Sequence, residues 1–239
     1  AENLVMKSTK VVTVSDYSRK DIADYFNMDA SKIEFVYNAV NAEEFSRDKS
    51  TSEYLHGIRK KYGLPEKYIL HFRSCATNKN INTLIRAYAM LPENLRDEYS
   101  LVITNPNNKI RKCAGENGVS DRIIYTEQIP AEDRPGIYQL ASLFAWPSYI
   151  EGFGIPLLEA QASGVPVISS NTTSMPEVCG NSVIYFDPYD TAGMSEAMRR
   201  CLTDEILRSE LIAKGYENIK RFSWDESAKK FHDIITSLY

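Results

Sequence analysis

Pro147-Ser148-Tyr149-Ile150-Glu151-Gly152-Phe153-Gly154-Ile155-Pro156-Leu157-Leu158-Glu159-Ala160 is the stretch from which the rest of the chain can be read. Ser142 to Trp146, just before it, is a strand-forming run. Ile155 to Ser163 is a helix closed by Gly164. Pro156 suits the first helical turn, where its missing N–H costs nothing. The N–H groups around Phe153 to Leu157 then point out of the helix unpaired. With the helix dipole they form an anion site suited to a diphosphate. Gly152 and Gly154 let a ligand approach the backbone closely. Glu151 lies in the loop and Glu159 about one turn into the helix. A carboxylate beside a phosphate is repelled, so both side chains fit the hydroxyls of a sugar. On spacing alone a plainer reading also holds: Glu159 complements the helix dipole and Glu151 is a solvated loop residue.

Working outward, Val165 to Ser169 is the next strand and Val183 to Phe186 the last, and helices fill most of 190–238. Upstream, Tyr68 to Phe72 is a strand. Asn80 to Leu91 is an amphipathic helix with Ile81, Leu84, Ile85, Tyr88 and Leu91 on one face. Leu101 to Thr104 and Ile123 to Tyr125 are strands, and Lys109 to Asn117 and Asp133 to Leu140 are helices. Strands and helices alternate about every 20–25 residues, which predicts an α/β fold: a Rossmann-like parallel sheet with helices on both faces. Ligands of such sheets bind beyond the carboxyl ends of the strands. Before this unit, Val11 to Val14 suits a buried parallel strand. A helix follows from Tyr17 to Phe26, capped by Ser15 or Asp16. Ile33 to Tyr37 is a strand and residues 38–41 are a turn. This βαβ-like piece is too small to fold alone. Residues 46–62 are polar, a linker and a helix.

Composition excludes several classes. Hydrophobic residues make up 43% of the 239, charged residues 25%, and the net charge is −4 with both signs spread along the chain. Disordered, fibrous and membrane-spanning classes do not fit, and no nucleic-acid partner is expected. Ala1-Glu2-Asn3-Leu4 lacks the basic and apolar regions of a signal peptide, and the absence of an initiator Met reads as a fragment. Cys75, Cys113, Cys179 and Cys201 form no C-x-x-C pair and read as reduced thiols filling the core of a cytoplasmic protein. His56, His71 and His232 show no ligand spacing, and Asp187-Pro188-Tyr189-Asp190 has the wrong spacing for a D-x-D metal motif. No metal or other cofactor is expected.

The run from Glu151 through Ala160-Gln161-Ala162-Ser163-Gly164-Val165-Pro166-Val167-Ile168 resembles the E-x7-E signature of family 4 (group 1) glycosyltransferases, which have the GT-B fold. Ser169 to Val178, Phe186-Asp187-Pro188 and the hinge-like segment Ile33 to Phe45 resemble the same family, so the likeness covers nearly the whole chain. It implies that Glu151 contacts hydroxyls of the transferred sugar and Glu159 the nucleotide ribose. It also implies that main-chain N–H groups of Phe153, Gly154 and Ile155 hold the leaving diphosphate, with Gly152 in the same donor-binding loop. Lys79 matches the family's phosphate-contacting lysine. The usual arginine position holds Asn78, and Arg73 stands where a glycine is common. Arg73 either replaces the missing guanidinium or is an exposed strand-end arginine. Tyr125 to Pro130 matches a loop that clasps the base through its backbone. Ile129 is the contact there, or else simple packing, and uracil and guanine both remain open. Thr172 and Ser174 reach phosphate or sugar, or make local turns.

Three parts are expected. Residues 1–44 are the end of an acceptor-side domain and hinge, residues 45–222 the nucleotide-sugar domain, and residues 223–239 a helix crossing back. The resemblance implies a retaining enzyme that needs no metal. It would move a hexose from a UDP- or GDP-sugar to a glycan or lipid-linked acceptor, in the cytoplasm or at the inner membrane face. The alternative is a non-catalytic nucleotide-sugar-binding subunit that works with a missing N-terminal domain or a partner chain. A sugar-nucleotide epimerase or a phosphorylase is a further GT-B-like alternative, although the lysine motif that a phosphorylase needs for pyridoxal phosphate is not seen.

Overall fold

The computed structural model describes residues 2–73 and 77–239. Ala1 and Ser74-Cys75-Ala76 lie outside the described residues, and with them the reading of Cys75 as a core thiol.

In chain order the elements are α1 (Glu2–Lys7), β1 (Val11–Thr13), α2 (Asp16–Phe26), β2 (Ile33–Phe35), α3 (Ala42–Phe45), α4 (Ser52–Tyr62), β3 (Tyr68–His71), α5 (Ile81–Ala89), α6 (Glu93–Glu98) and β4 (Ser100–Thr104). Then follow α7 (Asn108–Glu116), β5 (Ile123–Thr126), α8 (Arg134–Gln139), β6 (Leu143–Trp146), α9 (Ile155–Ala162), β7 (Val167–Ser170), α10 (Met175–Cys179), β8 (Ile184–Phe186), α11 (Thr191–Thr203), α12 (Glu205–Ile219) and α13 (Trp224–Thr236).

The main sheet has six strands in the order β5-β4-β3-β6-β7-β8, every pair parallel. The order reverses between β3 and β6, so the loops leaving these two strands diverge to opposite sides and open a crevice at their carboxyl ends. The described parts of those loops, residues 72–73 with 77–80 and residues 147–154, carry most of the predicted site. The sheet separates two apolar layers. Leu70, Phe144, Trp146, Leu157 and Leu158 belong to one, and Ile69, Leu84, Ile103, Ala145 and Met198 to the other. Alternate residues of one strand thus feed opposite layers, and strands buried on both faces read as continuous apolar runs.

Several elements differ from the sequence reading. β1 pairs in parallel with β2 as a separate two-stranded sheet, but it is not buried: Val12 is 37% exposed. Two strands with α2 packed against them leave much of the sheet uncovered, whereas the sequence suggested a core strand from its β-branched residues alone. The strand predicted from Val165 begins at Val167; the Pro166 carbonyl is used, accepting from the Phe144 N–H at 3.0 Å. Helices α1, α6 and α10 escaped the sequence reading. Each is six residues or fewer, too short for an apolar period to show. The three described cysteines are free and buried. Burial pushes the Cys179 and Cys201 thiols up to about 12, which suits inert core filling rather than reactivity.

Candidate functional site

The loop between β6 and α9 is built as the sequence suggested, with one correction. Gly154 caps α9 in the left-handed region, φ +99°, with Pro156 in the first turn. The Leu157 N–H, expected to be free, donates to the Gly154 carbonyl at 3.0 Å. Among the described residues, the N–H groups of Phe153, Gly154 and Ile155 meet no acceptor. The Phe153 side chain turns inward, between the rings of Tyr37 (5.8 Å) and Phe222 (5.4 Å), and anchors the loop so that its N–H groups stay aimed outward.

Helix capping marks the same place. The helices α2, α4, α7, α11, α12 and α13 each carry a side-chain N-cap, from Ser15, Thr51, Asn107, Asp190, Asp204 and Ser223. Among the described residues, the two helices of eight or more residues without one are α5 and α9. These two start at the crevice. An uncapped N-terminus leaves donors and partial positive charge available to an anion.

The structure brings Lys79 and Glu151 together. The Lys79 ammonium lies 2.5 Å from Glu151 Oε1, with side chains only 10% and 12% exposed. It also sits 4.3 Å from the centroid of the Trp146 ring, a cation–π contact. The two groups that the resemblance assigns to phosphate and sugar are therefore each other's partner in the free chain. The loop around Glu151 is held by a Thr/Ser turn. Its N–H donates to Thr173 Oγ1 at 3.1 Å, and its carbonyl accepts from Ser174 Oγ at 2.9 Å. Thr173 has φ +53°, an unfavourable conformation for a β-branched residue. Ser174 is fully buried, and Thr172 Oγ1 donates to the Tyr149 carbonyl at 3.0 Å. In the structure the hydroxyls of Thr172 and Ser174 shape the loop.

Glu159 sits on the buried side of α9. Tyr138 donates to its Oε2 at 2.8 Å, and Arg134 approaches its Oε1 at 3.8 Å. Burial raises its carboxyl above the ordinary value, against the lowering effects of the Tyr138 hydroxyl and the Arg134 charge. It lines a cavity of about 220 Å³ with Ala39, Asn41, Arg134, Ile155 and Trp224. Ile129 is buried in the core, so only its backbone can face a ligand. The Arg73 guanidinium donates to the Asn105 carbonyl at 2.5 Å, and Arg73 lines the same cavity as Lys79. Asn78 donates to the Ile150 carbonyl at 2.6 Å and ties the two crevice loops together.

Some residues near the site carried no sequence signal. Tyr138, Arg134 and Trp146 act through long-range packing, which spacing does not reveal. His71 is fully buried, its Nδ1 2.9 Å from the Ala145 carbonyl. Burial pushes its pKa down to about 4, so the ring is neutral and Nδ1 carries the proton. The two sheets are joined by Glu177 of α10, whose carboxylate accepts the N–H groups of Asp16 (2.8 Å) and Tyr17 (2.9 Å) at the start of α2. Val14 and Ser18 then lie over Gly152, the Ser18 hydroxyl donating to its carbonyl at 3.3 Å.

The doubly wound parallel sheet places this loop and helix at its switch point, where open α/β sheets take their ligands. Comparison with known proteins specifies the family. The family model for glycosyl transferases group 1 matches residues 57–218, and the chain belongs to that family. It is 35% identical over 219 residues to the O-antigen chain mannosyltransferase B of Escherichia coli, a match covering 90% of this chain and 57% of that protein. It is 32% identical over 228 residues to the serotype-specific mannosyltransferase WbdA of Escherichia coli, covering 93% of this chain and 28% of the other. The chain thus spans little more than half of the first relative and under a third of the second. The crystal structure of Anabaena Alr3699/HepE in complex with UDP-glucose superimposes with a TM-score of 0.86 at 16% identity, over 98% of this chain and 66% of that one. The fold is the GT-B type expected from the E-x7-E resemblance.

Proposed function

We propose that this chain is the donor-binding portion of a retaining glycosyltransferase that moves a hexose from a UDP- or GDP-sugar to a glycan or lipid-linked acceptor. The observation that carries this reading is the uncapped α9 N-terminus, with three free N–H groups, flanked by the Lys79–Glu151 pair and by Glu159. The diphosphate sits on the N–H groups of Phe153, Gly154 and Ile155, and Gly152 gives it room. Lys79 leaves Glu151 to neutralise the phosphates, and Glu151 turns to a sugar hydroxyl. Arg73 adds a second cation on the same side. Glu159, held by Tyr138, accepts from the ribose, and the backbone at Ile129 meets the base. Charge that grows on the leaving diphosphate meets donors already in place, which stabilises the transition state more than the ground state. Helix dipole and basic side chains supply this stabilisation in the proposed scheme, without a metal.

The names of the relatives make mannose the first sugar to test. The acceptor lobe is proposed to be supplied by a missing N-terminal domain or partner chain. Residues 1–44 would be the end of that lobe, and α13 would cross back to it. Its exposed Trp224, Phe231 and Ile235 suit such a contact. Among the described residues no helix is long and apolar enough to cross a membrane. A lipid-linked acceptor would bring the protein to the membrane surface.

Calorimetric titration with UDP- and GDP-sugars tests the reading. One nucleotide series is expected to bind, Glu159→Ala to weaken the nucleotide, and Glu151→Ala to weaken discrimination between sugars. Equal affinity in wild type and both variants refutes the site. Donor binding without the slow donor hydrolysis that Glu151→Ala should abolish would favour a non-catalytic subunit instead. Efficient transfer by this chain alone would refute the need for an acceptor lobe.

A further inference from the structure

Beside the α9 loop, on the far side of Lys79, lies a concavity of about 420 Å³. Its lining brings together four cations, Arg73, Lys79, Arg86 and Lys109, and no carboxylate. Lys79 is compensated by Glu151, while Arg86 and Lys109 form no ion pair among the described residues. In a chain whose net charge is −4, so one-sided a concavity focuses a positive field. The remaining lining is mainly amide and hydroxyl, from residues such as Asn82, Thr83 and Asn107. Apolar ligands therefore gain little there.

The backbone points the same way. The first turn of α5, Ile81 to Thr83, forms part of the wall, and α5 has no side-chain cap because Asn80 turns away to donate to the Pro188 carbonyl at 2.8 Å. Arg73 is held at the rim by its bond to the Asn105 carbonyl. The Arg86 guanidinium fork, the Lys109 ammonium and, among the described residues, the uncapped first turn of α5 together match the tetrahedral oxygens of phosphate, leaving Arg73 and Lys79 to the donor. The pocket is large enough for a phosphate with a small attached group.

We propose that this pocket is a second anion site, taking a phosphate ester or free phosphate. Its separateness from the donor site rests on the assignment of the donor diphosphate to the α9 loop.

The test titrates inorganic phosphate into the chain, alone and with the α9 loop saturated by UDP or GDP. A saturable phosphate site is expected in both cases. Arg86→Gln/Lys109→Gln is expected to weaken it by at least about tenfold and to leave UDP and GDP affinity within about twofold. Both side chains are exposed, so the fold should survive, and Arg86→Lys should recover part of the loss. The same loss with a hexose 1-phosphate supports the site. Tighter binding of that probe assigns the anion to a sugar phosphate, and equal binding to free phosphate. Loss of phosphate binding when nucleotide saturates, or a parallel fall in nucleotide affinity in the double variant, overturns the proposal by assigning the pocket to the donor. Phosphate binding unchanged in the double variant overturns it outright. If neither UDP nor GDP binds wild type, the donor reading fails, and the phosphate titration of wild type against double variant still decides this one.

Discussion

Replacing Lys79 by Met would leave the Glu151 carboxylate without its partner in a site where both side chains are about nine-tenths covered. Breaking a buried ion pair from one side costs about 3–5 kcal/mol, because the surviving charge stays desolvated. The residual exposure here places the cost near the lower end, about 3 kcal/mol. For a chain of this length each kcal/mol moves the midpoint by about 2–4 °C, so a fall of roughly 6–12 °C is expected. Lys79→Met/Glu151→Gln removes both charges and should regain about 2 kcal/mol of that loss, a coupling that a double-mutant cycle isolates. Urea unfolding followed by tryptophan fluorescence is the assay, since Trp146 lies under the Lys79 ammonium. A loss below about 1 kcal/mol in the single variant, or strictly additive effects, would refute the reasoning.

Glu151→Gln releases Lys79, so affinity for the bare nucleoside diphosphate should rise several-fold while the gain from an attached sugar falls; calorimetry on UDP or GDP against the matching nucleotide sugar reads both. Glu159 is held above the ordinary carboxyl value near 4.5, so the folded chain binds this proton more tightly than the unfolded chain. Its contribution to stability therefore falls as pH rises upward from about 4.5, and the stability difference between wild type and Glu159→Gln should decline across that window; a flat difference between about pH 4.5 and 7.5 would contradict it. Gly154→Ala places a Cβ 2.9 Å from Leu157 Cδ1 at φ +99°. It should cost about 1–3 kcal/mol and weaken nucleotide binding with it, as thermal melts and titration will show.

The sequence carried the main sheet because strands buried on both faces are continuous apolar runs and their spacing matches right-handed crossovers. The α9 loop was legible for a local reason: Gly154 and Pro156 dictate how a helix starts. What escaped was long-range or short. The Lys79–Glu151 pair joins residues 72 apart in sequence, so the family resemblance implied two separate ligand contacts where the free chain has one ion pair. Glu159 was legible as a polar group near the helix start, but its partner Tyr138 sits on another helix. Val11 to Val14 looked like a core strand because β-branched residues report strand preference, not how many neighbours cover the strand. Arg86 and Lys109 belong to no motif of the sequence, and only the meeting of α5 with α7 places them around one concavity.

The carboxylate of Glu177 ends a helix that does not belong to its own sheet. Swinging the small sheet away from the large one would strand two backbone donors and an anion together. At about 1.5–3 kcal/mol for each such bond, the separation is uphill by roughly 3–6 kcal/mol. The docked arrangement is then the resting one. A ligand that opens the molecule at this seam must prefer the open form by roughly 10²- to 10⁴-fold, whereas one that binds across the seam works with the latch already shut.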